Sequence, residues 1–327
     1  MTMGERAGRP ISEAVRPRFS GLPTFLRLPW RDEPEGFSSA VLGVPFDGGT
    51  TFRSGARFGP AALREASAML YAYHPQHRQD LFARHPAVDL GDVAVVPGNA
   101  PETLRRAEAA VHAIADSGAF PLVLGGDHLV TLASLRAVAR QKGPVGIVQL
   151  DSHHDLWDAL WGERYSHATF HRRAMEEGLV DPARSVIVGL RGSLDTQGDA
   201  ELPAELGVHA ITTARLLSDG AEAVANAVRD IVGPGSVWLT VDIDVVDPAF
   251  APGTGTPEAG GPPSWLVLAL LRGLVGLKMV GADVVELAPP YDSAQVTALL
   301  GATIAHEILA LRALQGGPAA TKGQYPA

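Results

Sequence analysis

Short apolar runs that alternate with helical patterns most strongly constrain the fold of this chain. Strands are predicted at residues 39–44, 120–124, 145–150, 185–190, 237–241 and 279–285. Helices are predicted at residues 60–71, 101–117, 129–141, 166–177, 220–231, 264–274 and 294–314. Strands that are apolar on both faces and separated by helices indicate a parallel sheet covered on both sides. An eight-fold α/β barrel has the same pattern, and the pattern alone does not separate the two.

Four polar clusters come directly after predicted strands. They are Gly125-Gly126-Asp127-His128, Asp151-Ser152-His153-His154-Asp155, Asp242-Ile243-Asp244 and Glu286. Binding and catalytic sites of parallel α/β folds form at the carboxyl ends of the strands. The sequence therefore predicts that these acids and imidazoles meet in one site.

The residue types of these clusters are typical of a metal site. In an extended chain Asp151, His153 and Asp155 share one face, and Asp242 and Asp244 repeat that spacing. Carboxylates buried together without a cation are very unfavourable. The chain has no cysteine, so any metal is held by His, Asp or Glu.

His128 completes a candidate set of four aspartates and two histidines. Four carboxylates balance two divalent ions, and one imidazole per ion with oxygen otherwise suits Mn²⁺ among first-row metals. Two such ions lower the pKa of a shared water. Each cluster alone has an ordinary explanation as a helix cap or a satisfied polar group, but three clusters in this order favour the metal.

Charge and composition exclude several classes of function. The net charge of −9 is unsuited to binding a nucleic-acid backbone. The first residues lack the apolar core of a secretory signal, and no uninterrupted apolar stretch of roughly 18 residues is present. A cytoplasmic protein with no membrane partner is therefore expected.

The chain is predicted to form one catalytic domain rather than two. Residues 1–35 are rich in Arg, Pro and Gly and are predicted to be an extended arm with a flexible tip. Residues 36–315 form the predicted domain, without a break in composition. Residues 316–327 are predicted to be a flexible tail.

The clusters, taken together, resemble the motifs of the ureohydrolase family, which comprises arginases, agmatinases and related guanidino-acid hydrolases. The matching motifs are G-G-D-H at 125–128, D-x-H-x-D at 151–155, S-H-G-T at 166–169 with Ala168 for the glycine, D-x-D-x-x-D-P at 242–248 and P-G-T-G-T-P-E at 252–258. The stretch 52–60 also resembles an agmatinase segment. The likeness runs from about residue 23 to residue 314.

This resemblance implies a single three-layer α/β/α domain with a parallel sheet of about eight strands, not a closed barrel. It implies two Mn²⁺ ions per chain, with Ni²⁺ as an alternative, and a homotrimer or homohexamer. Asp151 and Asp242 would bridge the ions. His128 and Asp155 would complete the ligands of one ion, and His153 and Asp244 those of the other.

The resemblance also implies a mechanism in which a metal-bridging hydroxide attacks the guanidinium carbon and urea leaves. Glu286 matches the acid that pairs with the guanidinium. His167 matches the histidine that carries a proton to the leaving amine. Asp155 is counted as catalytic as well as a ligand. Asp127 is interpreted as a hydrogen-bonding support, and His154 as structural.

Agmatine, which would give putrescine, is the substrate expected first, and three departures from the agmatinase pattern keep other guanidino compounds open. Ala168 replaces a glycine, and His154 and Leu156 replace small polar residues. The loop 156–165 carries Trp157 and Trp161, which argues against L-arginine. Guanidinobutyrate, guanidinopropionate or guanidine itself, with nickel in place of manganese, is the alternative.

The loop 156–165 offers several contacts to a substrate tail. Asp158 or Glu163 could meet the amine of agmatine. Arg164, Arg172 or Arg173 could meet the carboxylate of a guanidino acid. The two tryptophans could narrow the pocket or simply pack.

Two other classes of protein are alternatives to an amidinohydrolase. A deacetylase of related fold also uses an Asp/His/Asp site, but with one zinc, whereas the paired D-x-D favours two metals. A homologue that binds metal without turnover is the other, although no expected ligand is missing.

Overall fold

An eight-stranded parallel sheet forms the centre of the molecule, as seen in the computed structural model, which describes residues 8–315. The strands are β1 (Ser39–Val44), β2 (Tyr73–His74), β3 (Gln79–Asp80), β4 (Ala87–Asp92), β5 (Phe120–Gly125), β6 (Gly146–Leu150), β7 (Val186–Leu190), β8 (His209–Thr212), β9 (Ser236–Asp242) and β10 (Lys278–Val285). The order in the sheet is β4-β1-β5-β10-β9-β6-β7-β8, and β2 and β3 pair as a separate antiparallel hairpin. β4 and β8 are open edges, so the closed barrel is excluded.

Helices cover both faces of the sheet. They are α1 (Gly59–Ser67), α2 (Ala100–Asp116), α3 (Val130–Lys142), α4 (Phe170–Glu176), α5 (Gln197–Glu205), α6 (Thr213–Val232), α7 (Ser264–Gly273) and α8 (Val296–Leu314). Apolar residues of α1, α6, α7 and α8 form one buried cluster with the sheet. Those of α2, α3 and α4 form a second cluster on the opposite face. The predicted three-layer α/β/α arrangement is confirmed.

The predicted elements are all present, although two helices begin elsewhere. Gly220 was predicted to start a helix, but α6 starts at Thr213 and is broken at Gly220, whose φ is 81°. The helix predicted from residue 166 begins as a 3-10 turn at His167–Thr169, and α4 follows from Phe170.

Four strands and one helix were missed, and each lacks the pattern that identifies such elements. β4 contains Asp89, a buried acid that the Arg64 guanidinium meets at 2.9 Å. β8 is a mostly exposed edge strand. α5 contains Pro203 in its interior, and the hairpin strands β2 and β3 have two residues each.

The predicted arm of residues 1–35 contributes to the core from Phe25 onward. Phe25 and Leu26 are fully buried, and Leu28 is nearly so. The Phe25 amide donates a hydrogen bond to Asp89 at 2.6 Å, which ties the arm to β4. The predicted tail of residues 316–327 lies outside the described residues.

One described helix, α8, is long and apolar enough to meet the criterion for a membrane span. Its mean hydropathy is 1.4, and 78% of the qualifying window is buried inside the molecule. Counting uninterrupted apolar residues did not detect it, because Thr303, His306 and Glu307 interrupt the run. The burial explains its composition as that of a core helix.

Replacement of Phe25 by alanine tests whether the arm is part of the folded core. Removing a buried phenylalanine side chain costs about 3–5 kcal/mol of unfolding free energy, because it leaves a cavity. Chemical denaturation of the F25A variant measures this loss. Phe19 is 93% exposed, so F19A serves as the control and should change stability by less than about 0.5 kcal/mol. An equal, small effect of both variants would contradict the packing of the arm.

Candidate metal centre

The four predicted clusters meet at one end of the sheet. They follow β5, β6, β9 and β10, which are the four central strands and lie side by side in the order β5-β10-β9-β6. Because all four strands are parallel, their carboxyl ends open onto the same edge. The structure therefore brings together the six predicted ligands His128, Asp151, His153, Asp155, Asp242 and Asp244.

The first group is built around His128. Its Nδ1 lies 3.1 Å from Asp151 Oδ2, 3.0 Å from Asp155 Oδ2 and 3.3 Å from Asp242 Oδ2. His128 and its three partners are all buried. Nδ1 makes no hydrogen bond of good geometry, although three carboxylates surround it. Such an arrangement leaves the imidazole lone pair and three carboxylate oxygens facing one small volume.

The second group is built around His153. Its Nδ1 lies 3.0 Å from Asp244 Oδ2 and 3.6 Å from Asp151 Oδ1. Asp151 thus presents one oxygen to each histidine. This is the arrangement that two neighbouring cations with a shared carboxylate need.

The ligands converge, but not because residues 151–155 are extended as the spacing argument assumed. Asp155 has a φ of 54°, in the left-handed region. The His153 amide donates to Asp151 Oδ1 at 2.6 Å, and the Asp244 amide donates to Asp242 Oδ1 at 2.8 Å in a 3-10 turn. Local turns held by the aspartates therefore aim the side chains, rather than strand alternation.

Crowding shifts the protonation equilibria of the acids and imidazoles. Burial and the carboxylates of Asp244 and Asp151 raise the pKa of Asp242 well above its ordinary value. Burial and Asp151 raise the pKa of Asp155 to about 7. Burial would lower the pKa of His128, but contacts with three aspartates hold it well above the ordinary value. These shifts show that added positive charge would stabilise the cluster, and a bound cation would supply it.

His167 and Glu286 lie beside this cluster and contact each other. His167 Nδ1 is 2.8 Å from Glu286 Oε1, which also accepts from the His128 amide at 2.8 Å. His167 Nε2 lies 2.8 Å from the Thr51 hydroxyl. Although burial acts in the opposite direction, Glu286 raises the pKa of His167 to about 9. Glu286 Oε2 is buried and has no hydrogen-bond partner.

Asp127 supports the loop that brings Thr51 to this site. Its carboxylate accepts from the amides of Gly49, at 2.7 Å, and Leu129, at 3.2 Å. Burial and the nearby Glu286 raise the pKa of Asp127 to about 8. It has no close contact with either imidazole, in agreement with its interpretation as a support.

A cavity of about 330 Å³ opens from the cluster toward solvent. His153, Asp155, Asp242 and His167 line its inner end. Its outer wall includes His154, Trp157, Ala168, Leu190, Arg191, Leu194, Asp199 and Pro203. Trp161 does not line it and is 82% exposed.

Two charged residues of loop 156–165 that were expected to contact a substrate tail bind other side chains instead. Asp158 pairs with Arg173 at 2.6 Å, and Arg164 pairs with Glu176 at 2.7 Å, outside the cavity wall. Trp157 does line the cavity, and its Nε1 donates to Asp199 Oδ1 at 2.8 Å. His154 Nδ1 accepts from the Leu156 amide at 3.0 Å.

Comparison with known proteins gives the context for this site. Residues 37–311 match the model of the Arginase family. The chain is 44% identical to a guanidinopropionase of Pseudomonas aeruginosa, over 93% of this chain and 96% of the relative. It is 41% identical to the mitochondrial agmatinase of Gallus gallus, over 92% of this chain and 88% of the relative.

The chain belongs to the arginase family. A solved structure, that of proclavaminate amidinohydrolase from Streptomyces clavuligerus, superimposes with a TM-score of 0.88. It is 41% identical, and the match covers 91% of this chain and 99% of that one. The fold expected from the resemblance is thereby confirmed.

The residues of this arginase-family chain fit a pair of divalent ions. His128 Nδ1 is buried without a satisfactory donor or acceptor, and burial together with neighbouring carboxylates raises the pKa values of Asp155 and Asp242 beside it. Two candidate three-residue groups share Asp151. Oxygen and single-imidazole donors of this kind suit Mn²⁺.

Sequence reasoning missed Asp199 and Arg191 in the cavity wall. Asp199 stands at the start of α5, where it forms a capping box with Thr196. The T-x-x-D spacing at 196–199 is the signal that could have located this helix. Arg191 donates to the backbone carbonyls of Asp244, Val245 and Glu258, so it braces the loops rather than facing the cavity as a free cation.

A hydrogen-bonded chain fixes the orientation of His128. Its Nε2 lies 2.8 Å from the Thr240 hydroxyl, which in turn donates to the buried Asp283. Partners of this kind hold a metal-binding imidazole in one tautomer. On the other side, the Gln149 side-chain amide donates to Asp151 at 2.8 Å, and its carbonyl oxygen accepts from His171 Nδ1 at 2.8 Å.

Replacing Thr240 by valine removes the partner of His128 Nε2 at nearly constant volume. Loss of such a contact weakens metal binding by roughly 10- to 100-fold. Competition with a metal-binding dye measures the affinity. The Thr131 hydroxyl donates to the same Asp283 at 2.9 Å. Thr131 meets His128 only through its backbone amide, which donates to the His128 carbonyl at 3.2 Å and is kept in T131V, so this variant is the matched control. Equal affinities of the T240V and T131V variants would contradict a role for the Thr240 contact.

Proposed function

We propose that this chain is a binuclear-metal amidinohydrolase that releases urea from a guanidino compound, with agmatine as the substrate and putrescine as the other product. The observation that carries the reaction class is Glu286 Oε2, a buried carboxylate oxygen without a partner beside the candidate metal cluster. A buried, unpaired carboxylate oxygen is costly. A guanidinium supplies the missing N–H donor in a planar, charge-assisted contact.

The six residues proposed as ligands would hold two Mn²⁺ ions. Asp151 and Asp242 would contribute to both ions, His128 and Asp155 to one of them, and His153 and Asp244 to the other. When bound, the pair of ions would lower the pKa of a water and supply hydroxide near neutral pH. The donor set also accommodates Ni²⁺.

Two further side chains are proposed to act on the substrate directly. Glu286 orients the guanidinium with the oxygen that the His128 amide and His167 leave unpaired. His167 delivers a proton to the departing amine, since it lines the cavity and its pKa is raised to about 9 beside Glu286. Asp155 lines the same cavity next to His128, so it is proposed as a catalytic residue as well as a ligand.

Agmatine is favoured by the charges on the outer wall of the cavity. Asp199 is the carboxylate there, half-buried beside Trp157. The arginine in that wall, Arg191, already donates to five backbone carbonyls. Leu190, Leu194 and Pro203 provide apolar surface for a methylene chain. An apolar passage that ends at an acid fits a terminal amine better than a carboxylate.

A guanidino acid is the second candidate, because the relatives named guanidinopropionase and proclavaminate amidinohydrolase match this chain at 44% and 41% identity. A carboxylate tail would need a cation that turns into the cavity. Urea release from agmatine, guanidinobutyrate, guanidinopropionate, guanidine and arginine separates the candidates. Urea from none of them, with two metals bound, would contradict the proposed reaction.

Glu286→Gln tests the guanidinium contact without changing side-chain size. A charge-assisted hydrogen bond is worth about 1.5–3 kcal/mol, so kcat/KM should fall by roughly 10- to 100-fold or more. Metal content, measured by elemental analysis, should stay at the wild-type value. An unchanged kcat/KM would contradict the proposed role, whereas loss of metal would assign Glu286 to the support of His128.

Asp199→Asn tests the recognition of the amine. The variant should raise KM for agmatine by about tenfold, since one charged contact is lost, and should leave kcat nearly unchanged. Because Asp199 also holds Trp157, Trp157→Phe is the comparison that removes this hydrogen bond but keeps the acid. Asp195, an exposed acid just before α5, provides the control variant Asp195→Asn. Equal KM values for D199N and D195N would contradict the assignment.

Assembly and location are part of the same proposal. We expect a homotrimer or homohexamer in the cytoplasm, with a small guanidino compound as the partner and no nucleic acid or membrane. The net charge of −9 supports the exclusion of nucleic acid. Light scattering of the purified chain measures the subunit number, and a monomer would contradict the expected assembly.

A further inference from the structure

A second group of metal-binding side chains lies away from the strand ends that carry the catalytic cluster. His74 closes β2, His77 follows in the turn before β3, and Glu307 comes from the middle of α8. The hairpin thus presents an H-x-x-H pair to a buried acid of α8, the last helix described. Neither the proposed reaction nor its substrate uses these residues.

Their donor atoms face one another at distances close to those of a coordinated ion. His74 Nε2 lies 3.0 Å from Glu307 Oε2, and His77 Nε2 lies 3.9 Å from the same oxygen. All three donor atoms are within 4.8 Å of one another. Ligands bound to one tetrahedral ion at about 2.0–2.1 Å are a little over 3 Å apart, so small side-chain movements would suffice.

His77 Nε2 is the atom that points to a ligand. The His77 side chain is nine-tenths buried, with 10% of its surface exposed. Its Nε2 nevertheless has no hydrogen-bond partner. Buried imidazole nitrogens normally find a partner. The ring is held in place by His74, whose centroid is 4.5 Å away.

The surroundings leave one carboxylate oxygen for a cation. Arg272 binds the other oxygen of Glu307, with its Nε at 2.8 Å from Oε1. Arg272 is 29% exposed and screened by solvent, whereas Glu307 is 2% exposed. A metal ion bound to His74 Nε2 would require the proton of this imidazole to be on Nδ1 instead. His74 Nδ1 could then no longer accept the hydrogen bond from the His77 amide, which is 3.2 Å long. That contact is long, and its loss is the local rearrangement that the site requires.

We propose that His74, His77 and Glu307 form a third metal site, specific for a borderline divalent cation such as Zn²⁺. Two imidazoles and one carboxylate are a donor set that zinc uses with water in the fourth position. They differ from the aspartate-rich catalytic set, which prefers oxygen-seeking ions. The ion would tie the β2–β3 hairpin to α8.

Metal counting on the complete Mn²⁺-loaded enzyme tests this site. The protein is equilibrated with Zn²⁺, freed of excess metal, and both elements are measured per chain. We expect one zinc in addition to undiminished manganese in the wild type, and loss of that zinc in His77→Gln. His112 is a surface histidine, 3.3 Å from Asp116, and the control His112→Gln should retain the zinc.

Zinc that appears only as manganese is lost would overturn the proposal, as would equal zinc in the wild type and H77Q. Zinc K-edge absorption of the wild type keeps the test independent of whether a variant folds. The spectrum should show scattering from imidazole ligands, with zinc–nitrogen distances of about 2.0–2.1 Å. A zinc spectrum without imidazole ligands would also overturn it.

Discussion

Mutual repulsion among buried carboxylates is the constraint on which the rest of this structure depends. Asp151, Asp155, Asp242 and Asp244 end in one buried volume with only two imidazoles among them. Without positive charge, such a group keeps acids protonated, as the raised pKa values of Asp155 and Asp242 show. A cation pair removes that penalty, so folding and metal binding favour the same arrangement.

The fold supplies this arrangement through the order of the strands. β5 and β10 are neighbours in the sheet but more than a hundred residues apart in sequence, and so are His128 and Asp242, which meet at the same edge. Neighbouring polar side chains also hold the predicted metal ligands through hydrogen bonds, each to a different residue. Thr240 and Asp283 hold His128, Gln149 holds Asp151, and Ser152 donates to Asp244 at 2.8 Å. The scaffold therefore sets both the position and the rotation of the ligating groups.

The sequence predicted the central strands and the meeting of these acids and imidazoles at the strand ends, because both depend on local patterns. Apolar runs such as β5 and β6 are buried on both faces, and the acids follow at the strand ends. It did not predict β4, since the acid of Asp89 is stabilised by Arg64 from a distant helix. It also gave the wrong reason for the convergence of Asp151 and Asp155, because the chain turns at these residues, with a positive φ at Asp155, instead of continuing as an extended strand.

The residues of the cavity wall were harder to predict from the sequence. Asp199 and Trp157 are 42 positions apart, and no periodicity links them. Trp157 and the charged residues of loop 156–165 were candidate contacts to the substrate tail. Trp157 lines the cavity, but Asp158 and Arg164 form ion pairs outside it. The proposed contacts to the substrate tail thus depend on long-range packing, whereas the reaction class is indicated by motifs that can be read along the chain.

We propose that the six acids and imidazoles would hold two ions, with Asp151 and Asp242 contributing to both. Anomalous diffraction from manganese-loaded crystals, collected on both sides of the manganese edge, tests it most directly. We expect two peaks, one contacting His128 and Asp155 and the other His153 and Asp244, with Asp151 and Asp242 between them. A single peak, or strong peaks away from these residues, would contradict the proposed pair of ions.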